Sequence, residues 1–257
     1  MIYHILAVGD VVGACGVKHL SRCLRSLKKL KNIHFTVVNG ENAAMVGLTP
    51  NDAEDIFAAG ADVITLGNHS FGKMQIRDYL DDCPYILRPA NLGSRVPGRG
   101  YALYDCGAAR IAVMSLIGRC DLSFHASNPF TMADELLKTA EKPTFTLVDF
   151  HAEATSEKLA LAYYLDGRVS ALWGTHTHVP TADEEVFPKG TGYLTDLGMT
   201  GPSDSVLGVK TELIIRKLRT HMPVRFEIAE GNVHMSGAVF SLNRNTGMAE
   251  EVAPFNL

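Results

Sequence analysis

The sequence has little cysteine, and none of it is arranged as C-x-x-C: Cys15, Cys23, Cys83, Cys106 and Cys120 are scattered through 257 residues. An odd, dispersed set gives neither a disulfide framework nor a thiolate zinc site. It fits a reducing compartment, so the expected location is the cytoplasm. An excess of positive charge is also missing. With 24 Lys and Arg against 28 Asp and Glu, the formal net charge is −4, which argues against holding extended nucleic acid through many phosphate contacts. A small anionic ligand remains compatible, because one metal ion or helix terminus supplies local positive charge. Long apolar runs are lacking too. The opening MIYHILAVGD has no basic lead and is interrupted by Asp10, so it reads as neither a secretory signal nor a membrane span. No internal repeat, low-complexity tract or Pro/Ser-rich linker divides the chain, and one domain over residues 1–257 is expected.

What is present is hydrophobic sequence in short pieces. Hydrophobic residues make up 46% of the chain, and β-branched and aliphatic runs fall at 2–9, 35–38, 62–66, 111–117, 144–150 and 169–173. Such runs read as buried strands. Between them, Val17, Leu20, Leu24, Leu27 and Leu30 recur at helical spacing, with Lys and Arg opposite. Thr49-Pro50 with Asp52 marks a helix start and Gly60 its stop. Residues 132–141 after Thr131, and 153–166 before Gly167, predict two more helices. Alternation through residue 178 predicts an α/β protein with a largely parallel sheet. Beyond it, 212–218, 224–230 and 233–242 read as antiparallel strands closing a second sheet, with turns at Met222-Pro223 and Gly231-Asn232.

The chemistry stands at the predicted strand ends. The first strand runs into Asp10, the second through Gly40 into Glu41 and Asn42, and the third through Gly67 into Asn68 and His69. Two later strands do the same, delivering His151, and then His176 and His178 after Gly174. In parallel sheets these ends share one edge, where α/β proteins form their ligand crevice. Carboxylate, amide and imidazole without thiolate is a ligand mixture for Mn, Fe or Zn. Asp10, Glu41, Asn42, Asn68, His151, His176 and His178 exceed what one four-coordinate ion uses. Two ions sharing a carboxylate would use them all, and such a pair clamps the oxygens of a phosphoryl displacement.

These residues carry a resemblance. GDVVG (9–13), NGENAA (39–44), GLTP (47–50), TLGNH (65–69), RPAN (88–91), VDFHAEATSEK (148–158), GTHTHV (174–179) and TDLGMTGPSDSVLG (195–208) resemble the YmdB family of dinuclear metallophosphoesterases, in order and over most of the chain. The resemblance implies an α/β calcineurin-like sandwich, two mixed β-sheets flanked by helices in α/β/β/α layers. It implies hydrolysis of 2′,3′-cyclic nucleotides by in-line attack of a metal-bridging hydroxide. Asp10, Asn42 and His178 would hold one ion, Asn68, His151 and His176 the other, with Glu41 bridging and His69 as the catalytic histidine that is not a ligand. Fe or Mn are the leading identities, with Zn or Mg also compatible. The implied partners are a small cyclic nucleotide or other phosphodiester and further copies of the chain, with no membrane. Phe71-Gly72 stands where the family typically has Trp-Asp.

Taken singly, each histidine would read as a structural or surface residue, and it is the ordered set that marks a site. His4, His19, His34, His125, His221 and His234 lack that context. Arg88, Arg99 and Lys73 are candidate phosphate contacts, and residues 200–205 offer hydroxyls and N–H groups either to a substrate or to a plain connection. Two other functions fit the same ligands: a nucleotide-sensing protein with little turnover, and a phosphomonoesterase or nuclease.

Overall fold

The computed structural model describes residues 1–122, 125–138 and 141–257. In chain order its elements are β1 (Ile2–Val8), β2 (Asp10–Val11), α1 (Gly13–Leu30), β3 (Ile33–Asn39), α2 (Pro50–Ala59), β4 (Val63–Thr65), α3 (Ile76–Asp82), β5 (Ile86–Leu87), β6 (Tyr101–Asp105), β7 (Arg110–Ile117), α4 (Pro129–Leu137), β8 (Phe145–His151), α5 (Thr155–Leu165), β9 (Ala171–Thr175), β10 (Glu185–Val186), β11 (Gly192–Leu194), β12 (Met199–Pro202), α6 (Thr211–Thr220), β13 (Val233–Asn243) and β14 (Ala249–Asn256). Local sequence explains several of these boundaries. Thr49 and Asp52 form a reciprocal capping box at the start of α2, and Gly60 ends it with φ 120°. Lys and Arg fill the outer face of α1 while Val17, Leu20, Leu24 and Leu27 are buried.

The strands form two sheets. One runs β2-β12-β13-β1-β3-β4-β5 with β14 also paired to β13, and the other runs β10-β11-β9-β8-β7-β6. The neighbours β1, β3, β4 and β5 are parallel, as are β7, β8 and β9. Along β1, Ile5 and Ala7 pack toward Val113, Phe145, Leu147 and Trp173 of the second sheet. The alternate residues Leu6 and Val8 pack against Leu20 and Leu24 of α1 and Ile56 of α2. Both faces are therefore buried, which is why these strands read as continuous apolar runs. Helices α4 and α5 cover the far face of the second sheet through Ala133, Leu161 and Leu165, completing the α/β/β/α layers.

Four expectations are corrected. Residues 212–218 are not a strand: they lie in α6, where Ile214 and Leu218 share a face one helical turn apart. Residues 224–230 alternate like a strand but make only an isolated bridge, Val209 with Ile228. The C-terminal strands do not close a second sheet. Instead Gly237–Asn243 of β13 pair with the whole of β1, antiparallel in the first sheet, and the second sheet comes from the middle of the chain. Alternation reveals a strand and says nothing of its partner. The helix expected at 132–141 begins earlier, at Pro129, because Asn128 caps it. Residues 139 and 140 of that span lie outside the described residues.

Candidate metal centre

The C-terminal ends of β1, β3 and β4 meet those of β8 and β9, and the seven predicted ligands with His69 come together there. Asp10, Glu41 and His151 are fully buried and Asn42 nearly so. Glu41 lies at the middle. Its Oε1 is 3.0 Å from His151 Nε2, and its Oε2 accepts from the His69 backbone N–H at 3.1 Å. Asn68 Oδ1 and His176 Nδ1 approach the same His151 Nε2 at 2.9 and 3.0 Å. On the other side, His178 Nε2 lies 3.1 Å from Asn42 Nδ2 and 3.7 Å from Asp10 Oδ1. Glycine makes room for this crowding, since a Cβ at Gly67 would overlap the imidazole of His151.

Each of the three clustered imidazoles is tied outward by one nitrogen. His151 Nδ1–H donates to Thr175 Oγ1 at 2.9 Å, and that hydroxyl donates to the buried Asp149 Oδ1 at 2.7 Å. Asp149 is held in turn by Thr65 and, at 3.3 Å, by Asn39 Nδ2. His176 Nε2 faces Glu153 Oε2 at 3.1 Å, and His178 Nδ1–H donates to the Leu207 carbonyl at 3.1 Å. The inner nitrogens face the centre: His151 Nε2 lies beside Glu41, His176 Nδ1 beside His151 Nε2, and His178 Nε2 toward Asp10. This is how proteins orient histidine ligands.

The donor set fits metal ions. Three lone-pair atoms converge on His151 Nε2, more than one N–H satisfies, and Asp10 Oδ1 is buried without a hydrogen-bond partner among the described residues. Glu41, His151 and His176 each offer a ligand atom within 4.8 Å of the others. Asn42 joins them after a half-turn of its amide, since Nδ2 now faces His178.

Electrostatics point the same way. Burial pushes the Glu41 carboxyl up, but His151 and His69 outweigh it and hold Glu41 well below the usual carboxylate range. Burial pulls His151 down, while Glu41, Asp10 and Asp149 more than reverse this and raise it to about 9. Burial raises Asp10 to about 6 against the pull of His178. Burial and the neighbouring His151 lower His176 to about 3. A proton on His151 thus occupies the place a cation would take.

The sequence pattern described as YmdB-like protein matches residues 6–255. The chain belongs to the YmdB-like family. It is 47% identical over 250 residues to the 2′,3′-cyclic-nucleotide 2′-phosphodiesterase of Bacillus subtilis strain 168, covering 96% of this chain and 94% of that protein. Among solved structures, a novel phosphatase from Mycoplasma pneumoniae superposes with TM-score 0.93 at 32% identity, over 100% of this chain and 94% of that one. A hypothetical protein from Thermus thermophilus gives TM-score 0.92 at 34% identity, over 99% of this chain and 98% of that one.

Sequence reasoning missed several residues of this YmdB-like site. Glu153 reads as a helix start, Thr175 as a turn residue, and the Leu207 carbonyl carries no side-chain signal at all. The THTH spacing was a usable clue to Thr175, since it ends the strand just before two ligands. Lys158 and Asp196 also escaped notice. Their fully buried ion pair of 2.6 Å sits beneath the ligand loop, and Asp196 Oδ2 also accepts the Thr177 N–H at 3.3 Å. Arg88 is no phosphate contact: it donates to the carbonyls of Pro89, Ala90, Pro97 and Gly98. Of residues 200–205, Thr200–Pro202 belong to β12 and pair with β2 and β13, the Thr200 carbonyl accepting from the Val12 N–H at 2.9 Å.

Proposed function

We propose that this YmdB-like protein is a dinuclear, metal-dependent phosphodiesterase that opens 2′,3′-cyclic nucleotides, with residues 1–257 as one catalytic unit. The observation carrying this reading is the set of three imidazoles tied outward by one nitrogen, with the other turned into a cluster that holds Glu41 and Asp10. The Bacillus subtilis relative's name supplies the substrate class. In this reading Asp10, Asn42 and His178 hold one ion, Asn68, His151 and His176 the other, and Glu41 lies between. Bound ions, Fe or Mn foremost, would supply Lewis-acid neutralisation of the phosphoryl oxygens and acidify a water.

The chain's own residues do the rest. Asp149 and Thr175 fix the His151 ring, Glu153 and the Leu207 carbonyl fix His176 and His178, and each keeps a lone pair pointed at the centre. His69 is one-third exposed at the cavity wall, and its Nδ1 lies 2.9 Å from the Asn42 amide; once that amide is turned with Oδ1 toward the ions, Nδ2 faces His69 and donates to Nδ1. That bond leaves Nε2 to carry the proton delivered to the departing ribose oxygen. The relative is named a 2′-phosphodiesterase, which supports a break at the 2′ oxygen here too, with the 3′-nucleotide as the expected product.

The test is His69→Ala with the metal content measured alongside turnover. The variant should keep its metal and lose about 10²–10⁴-fold in turnover, while the wild type should give 3′-nucleotide by phosphorus NMR. An active His69→Ala protein would remove the proton role, and a product other than the 3′-nucleotide would contradict the bond assignment.

A further inference from the structure

The ligand cluster is the floor of a much larger cavity, about 830 Å³. Glu41, Asn42, His69, His176 and His178 line one end. The remaining walls come from Val12 and from side chains of the segments 45–46, 206–209, α6 and 225–228, and among the described residues that line the cavity there Arg225 is the only polar one. The volume falls within the roughly 300–1,000 Å³ typical of small-molecule sites. It is more than a phosphate group requires.

The walls are apolar yet open to solvent. Val46 is 44% exposed, Leu207 46% and Leu218 68%. Such a patch, concave and continuous with a polar centre, marks a ligand surface. Ile214 and Leu218 project from one face of α6, and Phe226 lies beside them. Lys217 Nζ is 4.6 Å from the Phe226 ring centroid and steadies the ring. The two segments that departed from strand expectation are therefore the ones that build this wall.

We propose that this apolar half is a base subsite, in which the nucleobase of the substrate packs on Phe226 while its phosphate sits at the ligand cluster; the assignment rests on the cyclic-nucleotide function proposed above. A wall with Arg225 as its single polar residue reads area and π-surface, not hydrogen-bonding edges. Stacking of that kind tolerates any base, because every base has a π-face. Adenine and uracil substrates should therefore both be accepted, with the larger ring favoured through its greater contact.

The test compares Mn²⁺-loaded wild type, Phe226→Ala and Phe226→Trp on 2′,3′-cyclic AMP, 2′,3′-cyclic UMP and the base-free methyl ribofuranoside 2′,3′-cyclic phosphate. In Phe226→Ala the ratio of kcat/KM for each nucleotide over the base-free substrate should fall about tenfold, mainly through KM, and Phe226→Trp should restore it. An unchanged ratio overturns the subsite. So does a variant that alters sedimentation with its ratio intact, which assigns the wall to a second copy of the chain. If the loaded wild type turns over none of the three substrates, the proposed function fails, and calorimetry still decides the subsite. The wild type should then bind 3′-AMP about tenfold more tightly than ribose 3-phosphate, a preference lost in Phe226→Ala and kept in Phe226→Trp. Equal affinities for the two ligands overturn it.

Discussion

At the scale of single residues, the site divides into groups that face the centre and groups that hold them. The facing groups were legible in the sequence, because each of the seven stands just past or at the end of an apolar run. The holding groups were not, because their hydrogen bonds join distant parts of the chain: Thr175 to His151, Glu153 to His176, and the Leu207 backbone to His178. Thr175 shows what such a group contributes. Its hydroxyl accepts from His151 and donates to Asp149, so the His151 lone pair is fixed on Nε2. Thr175→Val should lower metal affinity about 10–100-fold with the fold retained, read by competition against a metal-buffering indicator. Wild-type affinity in that variant would show that the His151 ring needs no hydroxyl to orient it.

At the scale of elements, the ligand loop after β9 is supported from below by α5. His176 and His178 have φ values of 101° and 63°, backbone conformations that L-residues seldom adopt. The surrounding structure must hold them there, and the buried Lys158–Asp196 pair does so through the Thr177 N–H. Removing the lysine leaves a buried, unpaired carboxylate. Lys158→Met should cost about 3–5 kcal/mol in urea unfolding, and adding Asp196→Leu should recover part of it. A loss below about 1 kcal/mol would mean that the pair carries no such burden. The sequence showed α5 by its bounds and α1 by its charged face. It misled at α6, where the β-branched pair Ile214-Ile215 resembles a strand, while the spacing of Ile214 and Leu218 is helical.

At the scale of the whole molecule, the core between the sheets sets the site. Ile5, Val37 and Val63 on one side, with Phe145, Leu147 and Trp173 on the other, bring two sets of strand ends to one edge. The strands were readable as strands, but the pairing of β13 with β1 was not, since alternation carries no address. Assembly of the two edges also fixes how metal uptake depends on pH. Ions need a neutral His151 and an ionised Asp10, yet without ions these lie at about 9 and about 6. Affinity should therefore rise about tenfold per pH unit up to about pH 9, more steeply below about pH 6, and level off above 9. Affinity that stays flat between about pH 6 and 9 would contradict the proton held by the Glu41–His151 pair. The central claim is that this edge is a metal-dependent centre for phosphodiester hydrolysis. It is tested most directly by stripping the protein of metal, returning Mn²⁺, and following hydrolysis of 2′,3′-cyclic AMP. Turnover that appears only with uptake of two ions is the predicted result; two bound ions without turnover, or equal turnover in the stripped protein, would contradict it.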